Sequence, residues 1–268
     1  MMAKKNFYES LNRKEIISEI IKKKEFSDLP LEDVELIYSK FEKKDLLVGE
    51  KIKLVRDLLR KMYTAFVSEK LLNIKDKEAD WFLKKHISTK ERLPHYLEVY
   101  GQCLFGVEKT CTVVDFGSGI NGFSYEYFKK IGFEVDYLGI EPVGQLVDLQ
   151  NNYFKKNKIF QAKCVKASLF DLEEIKKLIV EISGKKVGFF FKVLDSLEML
   201  KRDYSKLVLK ELVPLFDRCV VSWATASLVS RKKFHAERKW LRDFIDETFN
   251  LSDEFEIGGE NYLVFSKK

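Results

Sequence analysis

The sequence predicts an α/β protein: a sheet of seven strands, parallel except at one edge, covered by helices on both faces and preceded by an all-helical N-terminal segment. Three observations predict it. Residues 1 to about 105 carry helical periodicity almost throughout, short apolar runs alternate with amphipathic ones from Thr110 onward, and Gly258-Gly259 separates two strand-like runs near the C-terminus.

The first helix lies in NRKEIISEIIKKKEF, where Ile16, Ile17, Ile20 and Ile21 fall at i, i+1, i+4 and i+5 and share one face, with charge on the other. A break at Ser27-Asp28-Leu29-Pro30 precedes a helix over residues 31–41, with Pro30 suited to its first turn. Gly49 precedes a longer pattern over residues 51–72, in which Ile52, Val55, Leu58, Leu59, Met62, Phe66 and Val67 line one side. Ser88-Thr89-Lys90-Glu91 reads as a helix start, Ser88 the N-cap and Glu91 the capping-box acid, for a helix reaching about Leu104. Strands are predicted at residues 112–116, 137–140, 159–165, 187–194 and 219–223. Residues 255–257 and 262–266 form an antiparallel hairpin that makes the sheet mixed at one edge. The expected division is a helical domain over residues 1–105 and an α/β domain over residues 106–268.

Composition narrows the class. The 268 residues are 46% hydrophobic and 34% charged, with 22 Phe, 11 Tyr and 3 Trp against only 4 Pro, which excludes a disordered chain and supplies a sizeable core. No apolar run approaches the roughly 18 residues of a membrane span, and the polar N-terminus lacks a signal core, so a cytoplasmic protein is expected. Cys103, Cys111, Cys164 and Cys219 are scattered, with no Cys-x-x-Cys pair and only 3 His, so they read as reduced thiols and no metal site is expected. The net charge of +6 is uneven. Residues 229–242 hold six basic side chains and one acidic, whereas residues 131–150 hold four acids and no base, which points to an anionic partner near the basic segments.

Chemistry concentrates in VVDFGSGINGF, residues 113–123, where a hydrophobic strand ends in an acid, a Gly-Ser-Gly turn follows, and a helical pattern resumes. In a doubly wound sheet this is the turn at which a nucleotide or nucleoside approaches the backbone. A Cβ at Gly117 or Gly119 would hold the ligand off the main chain and oppose positive φ. The strand after it ends in Glu141, about twenty residues past the turn, where a carboxylate can accept both ribose hydroxyl hydrogens. A third strand leads to Ser168-Leu169-Phe170-Asp171, at the height of an adenine ring. GSGING satisfies the dinucleotide string literally, but Asp115, two residues ahead of the first glycine, would repel a pyrophosphate. It suits instead a ligand with positive charge, such as the sulfonium and ammonium of S-adenosyl-L-methionine.

The segment HISTKERLPHYLEVYGQCLF, residues 86–105, resembles the His-x-Ser-Thr-x-Glu-Arg-Leu-Pro signature of the 16S ribosomal RNA guanine-N7 methyltransferases, the group that confers aminoglycoside resistance. Further matches follow in order: VVDFGSGIN, then FFFKVLDSLE at residues 189–198, then VVSWATASL at residues 220–228 ahead of the basic RKKF. EKIKLVRDLLRKMYTAF, residues 50–66, is similar to that group's N-terminal helical segment, so the resemblance covers roughly residues 45–268. The chain departs from the pattern at Leu194-Asp195-Ser196-Leu197-Glu198, in SWATASLVSR, at Glu141-Pro142, and at Ser168, where the family carries an adenine-contact Asp.

The resemblance implies a Rossmann-like class I S-adenosylmethionine methyltransferase that modifies guanine N7 in small-subunit ribosomal RNA, with the 30S subunit as partner and a monomeric chain. It implies a donor pocket bordered by His86, Ile87 and Ser88, with Arg92 gripping the methionine carboxylate. Asp115, Gly117 and Gly119 would lie at the donor, Glu141 on the ribose, Ser168 and Leu169 on the adenine, and Phe191 or Leu194 along the wall. Guanine N7 already offers a lone pair, so no dedicated base is expected and catalysis rests on in-line placement. Trp223 would stack on a flipped-out target base, and Lys192, Lys201, Arg202, Arg231, Lys232 and Lys233 would face RNA phosphates. Two alternatives stay open: a methyltransferase for another RNA or a small molecule, and a catalytically silent RNA- or ribosome-binding module on the same fold.

Overall fold

The computed structural model describes residues 8–64, 77–225 and 238–268. Helices α1 (Arg13–Ile21), α2 (Leu31–Glu42) and α3 (Val48–Leu59, prolonged by a π turn over Arg60–Thr64) come first, then the short α4 (Ala79–Leu83), α5 (Ile87–Arg92) and α6 (Tyr96–Cys103). The α/β part follows as β1 (Thr110–Phe116), α7 (Glu126–Lys130), β2 (Glu134–Glu141), α8 (Gly144–Lys156), β3 (Ala162–Lys166), α9 (Leu172–Val180) and β4 (Lys186–Phe191). It ends with α10 (Leu194–Leu200), α11 (Tyr204–Leu212), β5 (Arg218–Ala224), α12 (Lys239–Thr248), β6 (Asn250–Ile257) and β7 (Glu260–Ser266).

All seven expected strands form one sheet, ordered β3-β2-β1-β4-β5-β7-β6. The pairs among β1 to β5 are parallel, and β7 runs antiparallel to both β5 and β6, so the mixed edge falls where the Gly258-Gly259 hairpin puts it. Strand alternation divides the core. Val113, Phe189 and Val220 face the N-terminal helices, while Val114, Phe116, Phe190 and Val221 face the side covered by α9 to α12. The first of these cores runs without interruption from Ile16, Val34 and Leu59 of the helical segment onto the sheet. The order reverses between β1 and β4, and ligands of such sheets bind outside the carboxyl ends of the strands at that switch point.

Several boundaries differ from expectation for identifiable reasons. The helix expected from Ser88 to Leu104 is two helices; α5 starts at Ile87 with His86 as N-cap, and Ser88 and Glu91 make no capping box. Pro94 has no amide hydrogen to give the carbonyl four residues back, and the chain passes through a 3-10 turn over Leu93–His95 before α6 begins. Pro30 caps α2 in an extended conformation and stands outside its first turn. The third strand begins at Ala162, with Ile159 buried behind the end of α8 and Phe160 83% exposed. The fourth ends at Phe191 because Lys192 adopts a left-handed φ of 55°, which turns the chain into α10. Residues 65–72 of the long third helical pattern lie outside the described residues.

Backbone and side-chain links fasten the helical segment to the sheet ends. The Gly144 amide donates to the Asp28 carbonyl at 3.2 Å, the Lys166 ammonium donates to the Asp28 carboxylate at 2.8 Å, and Lys40 Nζ donates to the Met199 carbonyl at 2.8 Å. These links hold the α1–α2 loop and α2 against the carboxyl edge of the sheet.

Candidate functional site

A cavity of about 300 Å³ opens at the carboxyl ends of β1, β2 and β4, large enough for a nucleoside-sized ligand. Its floor is the turn after β1. Gly117 and Gly119 hold φ of 64° and 55°, a region hostile to residues with a Cβ. Both the Gly117 and Ser118 amides donate to the Ile140 carbonyl, at 2.8 and 3.1 Å, which ties the turn to β2. A Cβ on Gly117 would come within 2.6 Å of Val193 Cγ2. The third glycine of the string, Gly122, serves packing: its amide donates to Gln150 Oε1 at 3.0 Å, and a Cβ there would meet that oxygen at 2.4 Å.

Two buried carboxylates flank this floor. Asp115, 1% exposed, accepts at Oδ2 from Asn121 Nδ2 at 2.8 Å and from the Tyr137 hydroxyl at 2.7 Å. Burial pushes its pKa up to about 6, against the lowering effect of those two donors and of Arg92. Glu141, at the end of β2, accepts from the Gly119 amide at Oε2 (2.8 Å) and from the Val143 amide at Oε1 (3.0 Å). Burial raises it to about 7, the two backbone bonds notwithstanding. Each Glu141 oxygen takes one backbone donor and keeps a lone pair, so the pair of oxygens can meet two adjacent hydroxyls.

An ionic cluster forms the opposite wall. Arg92 of α5 is buried; its Nη2 donates to Glu260 Oε1 at 2.7 Å, its Nε to the Tyr262 hydroxyl at 3.2 Å and its Nη1 to Asn121 Oδ1 at 3.2 Å. Its guanidinium carbon lies 4.5 Å from the centre of the Phe191 ring. Glu260 also accepts from the Ser222 hydroxyl and pairs with Lys192 Nζ at 3.1 Å. Although burial opposes it, the charges of Arg92 and Lys192 hold the Glu260 carboxyl below its ordinary value. His86 sits beside Gly119; burial first, then the charges of Arg92 and Lys192, lower its pKa to about 4, so its ring is neutral at pH 7.

The fourth wall comes from two parts of the chain. Ser168, Leu169 and Phe170 follow β3, and Met62 and Tyr63 of the π turn close over them. Asp33, 1% exposed on α2, accepts from the Ser168 hydroxyl at 2.7 Å and from the Tyr63 hydroxyl at 2.8 Å. Phe170 N–H donates to Ser168 Oγ at 3.1 Å.

Of the twelve residues expected around the donor, His86, Ser88, Arg92, Asp115, Gly117, Gly119, Glu141, Ser168, Leu169 and Phe191 all line this cavity. Two do not. Ile87 is 41% exposed on the outer side of α5, and Leu194, at the start of α10, is buried in the core on the other face of the sheet. Trp223 also needs correction as a base-stacking residue. Period-two alternation along β5 turns Ala224 toward the cavity, Ser222 onto Glu260, and Trp223 into the opposite core, where it is 5% exposed. Lys192, expected on RNA, lies in the cavity wall paired with Glu260 and Glu91. Lys201 and Arg202 are exposed just past Met199, a cavity-lining residue, whereas Arg231, Lys232 and Lys233 lie outside the described residues.

Asp33, Tyr63 and Glu260 belong to the site without having been singled out in the sequence. A signal for Asp33 existed: it shares the helix face of Val34, Ile37 and Tyr38, and a carboxylate on an apolar face needs partners. Glu260 stands directly after the glycine pair, two residues ahead of an apolar run. Tyr63 carried no such signal. Among the described residues no group of His, Cys, Asp and Glu could hold a metal ion, and no helix is long and apolar enough to cross a membrane.

Neither a protein-family model nor a curated protein sequence matches the chain. Solved structures do. The chain superposes on the 16S rRNA methylase RmtB with a TM-score of 0.75 at 19% identity, covering 96% of this chain and 99% of that one. The 16S rRNA methyltransferase RmtF in complex with S-adenosyl-L-homocysteine gives 0.75 at 17% identity, covering 97% and 100%. An rRNA methylase from Escherichia coli gives 0.74 at 20% identity, covering 96% and 100%. The likeness spans the N-terminal helices as well as the sheet, and at these identities it establishes a common fold.

Proposed function

We propose that this chain, which has the fold of the 16S rRNA methylases, is an S-adenosylmethionine-dependent methyltransferase acting on guanine N7 of small-subunit ribosomal RNA. The observation that carries the reading is the convergence, in one cavity, of the Gly117–Gly119 turn, the buried carboxylates Asp115 and Glu141, and the His86–Arg92 block whose sequence resembles that group. When bound, S-adenosylmethionine supplies an electrophilic methyl group on a sulfonium. Glu141 holds the ribose hydroxyls with the lone pairs left by Gly119 and Val143. Asp115 provides negative charge for a cationic ligand, and Gly117 lets it lie against the backbone. Arg92, largely engaged by Glu260, Tyr262 and Asn121, still borders the cavity with Ser88 and adds a positive edge for a carboxylate.

No side chain has to remove a proton from N7, so the contribution of the protein is orientation and exclusion of water. His86, neutral at pH 7, borders the cavity without adding a charge that would oppose the sulfonium. Lys201 and Arg202 beside the cavity, with Arg231, Lys232 and Lys233 further along the chain, supply phosphate contacts whose strength falls with salt. The helical segment adds basic surface to the same role.

Two measurements test this. Calorimetry with S-adenosyl-L-homocysteine is expected to show one site per chain, and no binding, with or without 30S subunits, would refute donor use. Methyl transfer from labelled S-adenosylmethionine to purified 30S subunits, mapped by N7-sensitive strand cleavage, is expected to mark a single guanine. Transfer only to other RNA or to small molecules would leave the donor reading standing and overturn the target.

A further inference from the structure

We propose that Asp33, contributed by the N-terminal helical segment, is a positioning residue that sets which base the cavity accepts. The inference rests on the donor reading above. Glu141 at the end of β2 marks the ribose, and the next strand outward, β3, delivers Ser168 to the place of the base. A serine hydroxyl can donate one hydrogen and accept two, so alone it reads an amine and a carbonyl equally well. Here its choice is removed. Its single hydrogen points to the Asp33 carboxylate, whose two oxygens both lie 2.7 Å away, and one lone pair is taken by the Phe170 amide at 3.1 Å.

What Ser168 presents to the cavity is therefore one remaining acceptor. It matches the exocyclic amine of adenine and opposes the carbonyl of a 6-oxopurine, two lone pairs facing each other. Tyr63 fixes the same carboxylate from the π turn at 2.8 Å, which leaves Asp33 committed to accepting. Base selection and the seating of the helical segment are thereby one set of hydrogen bonds.

The test compares S-adenosyl-L-homocysteine with its deaminated analogue S-inosyl-L-homocysteine by calorimetry. The wild-type chain is expected to prefer the adenosyl compound by about tenfold or more. In Asp33→Asn the amide can donate to Ser168 and release its hydrogen toward the cavity, so the preference is expected to shrink to about twofold, with the inosyl compound gaining in absolute affinity. A purely structural role for Asp33 would weaken both ligands alike and keep their ratio, which would overturn the proposal. Should Asp33→Asn fail to fold, Ser168→Ala carries the test: loss of the preference supports Ser168 as the reader, and an unchanged ratio overturns it. Absence of binding of either compound to the wild-type chain refutes the donor reading and this inference with it; tight adenosyl binding with an unaltered ratio in both variants refutes the inference alone.

Discussion

Glu141 shows how much one side chain decides. Its carboxyl, raised by burial to about 7, is half protonated near neutrality, and only the ionised form offers both oxygens as acceptors. Donor affinity is therefore expected to rise between about pH 6 and 8, by up to about tenfold, and to become flat with pH in Glu141→Gln. Calorimetry with S-adenosyl-L-homocysteine across that range checks it; a slope that persists in the variant assigns the titration elsewhere. Gly117 is the second residue-scale case. A methyl group there both enforces a left-handed non-glycine residue and meets Val193 at 2.6 Å. Gly117→Ala is expected to cost about 1–2 kcal/mol in urea unfolding and to abolish measurable donor binding. The sequence placed Gly117 in a turn after one strand and Glu141 at the end of the next, and both stand there. What it could not give was Trp223: a strand-end Trp looks equally placed for stacking or for core until the parity of β5 is known.

At the scale of elements, the cavity depends on contacts between parts distant in the chain. Arg92 of α5 and Glu260 of β7 form a buried pair at 2.7 Å. Removing one partner strands a charge, so Arg92→Ala is expected to destabilise by about 3–5 kcal/mol. Arg92→Met with Glu260→Gln is expected to recover much of that loss while still impairing donor binding, which separates folding from ligand contact. Gly122 packs the turn after β1 against α8. Gly122→Ala must displace Gln150 and Phe154, at a cost of about 1–3 kcal/mol that differential scanning calorimetry will register. Strand existence was legible from short apolar runs, because strands buried on both faces read as continuous hydrophobic stretches. Element ends were less so. The end of β4 rests on the left-handed Lys192, and the break between α5 and α6 on Pro94, both local backbone events inside an unbroken apolar pattern.

For the whole molecule, the balance of buried charge sets the response to pH. Asp115 and Glu141 have folded-state pKa values of about 6 and 7, above their ordinary ones, so the folded chain keeps protons that the unfolded chain releases. Stability from these two groups is thus greatest in mild acid and falls as pH rises from about 4 to 7. The melting temperature is expected to drop between about pH 4 and 7, and the drop to shrink in Glu141→Gln. The apolar core shared by α1 to α3 and the sheet also predicts a single cooperative unfolding transition for the full chain. Coincident far-ultraviolet and aromatic-signal transitions check it; two separated transitions would mark independently folding halves.

The sequence by itself determined the number of strands and their places along the chain, the mixed edge, the glycine turn with its acid, and the position of Glu141, because each of these is written in local periodicity or in short spacing along the chain. Only the tertiary structure decided that the helical segment walls the cavity with Met62 and Tyr63 and backs Ser168 with Asp33, that Arg92 answers to Glu260, and that Lys192 belongs inside. Those are pairings across 168 residues for Arg92 with Glu260 and 135 for Ser168 with Asp33. A buried polar group announces that it needs a partner, but which partner depends on how the chain folds back, and no local pattern carries that information.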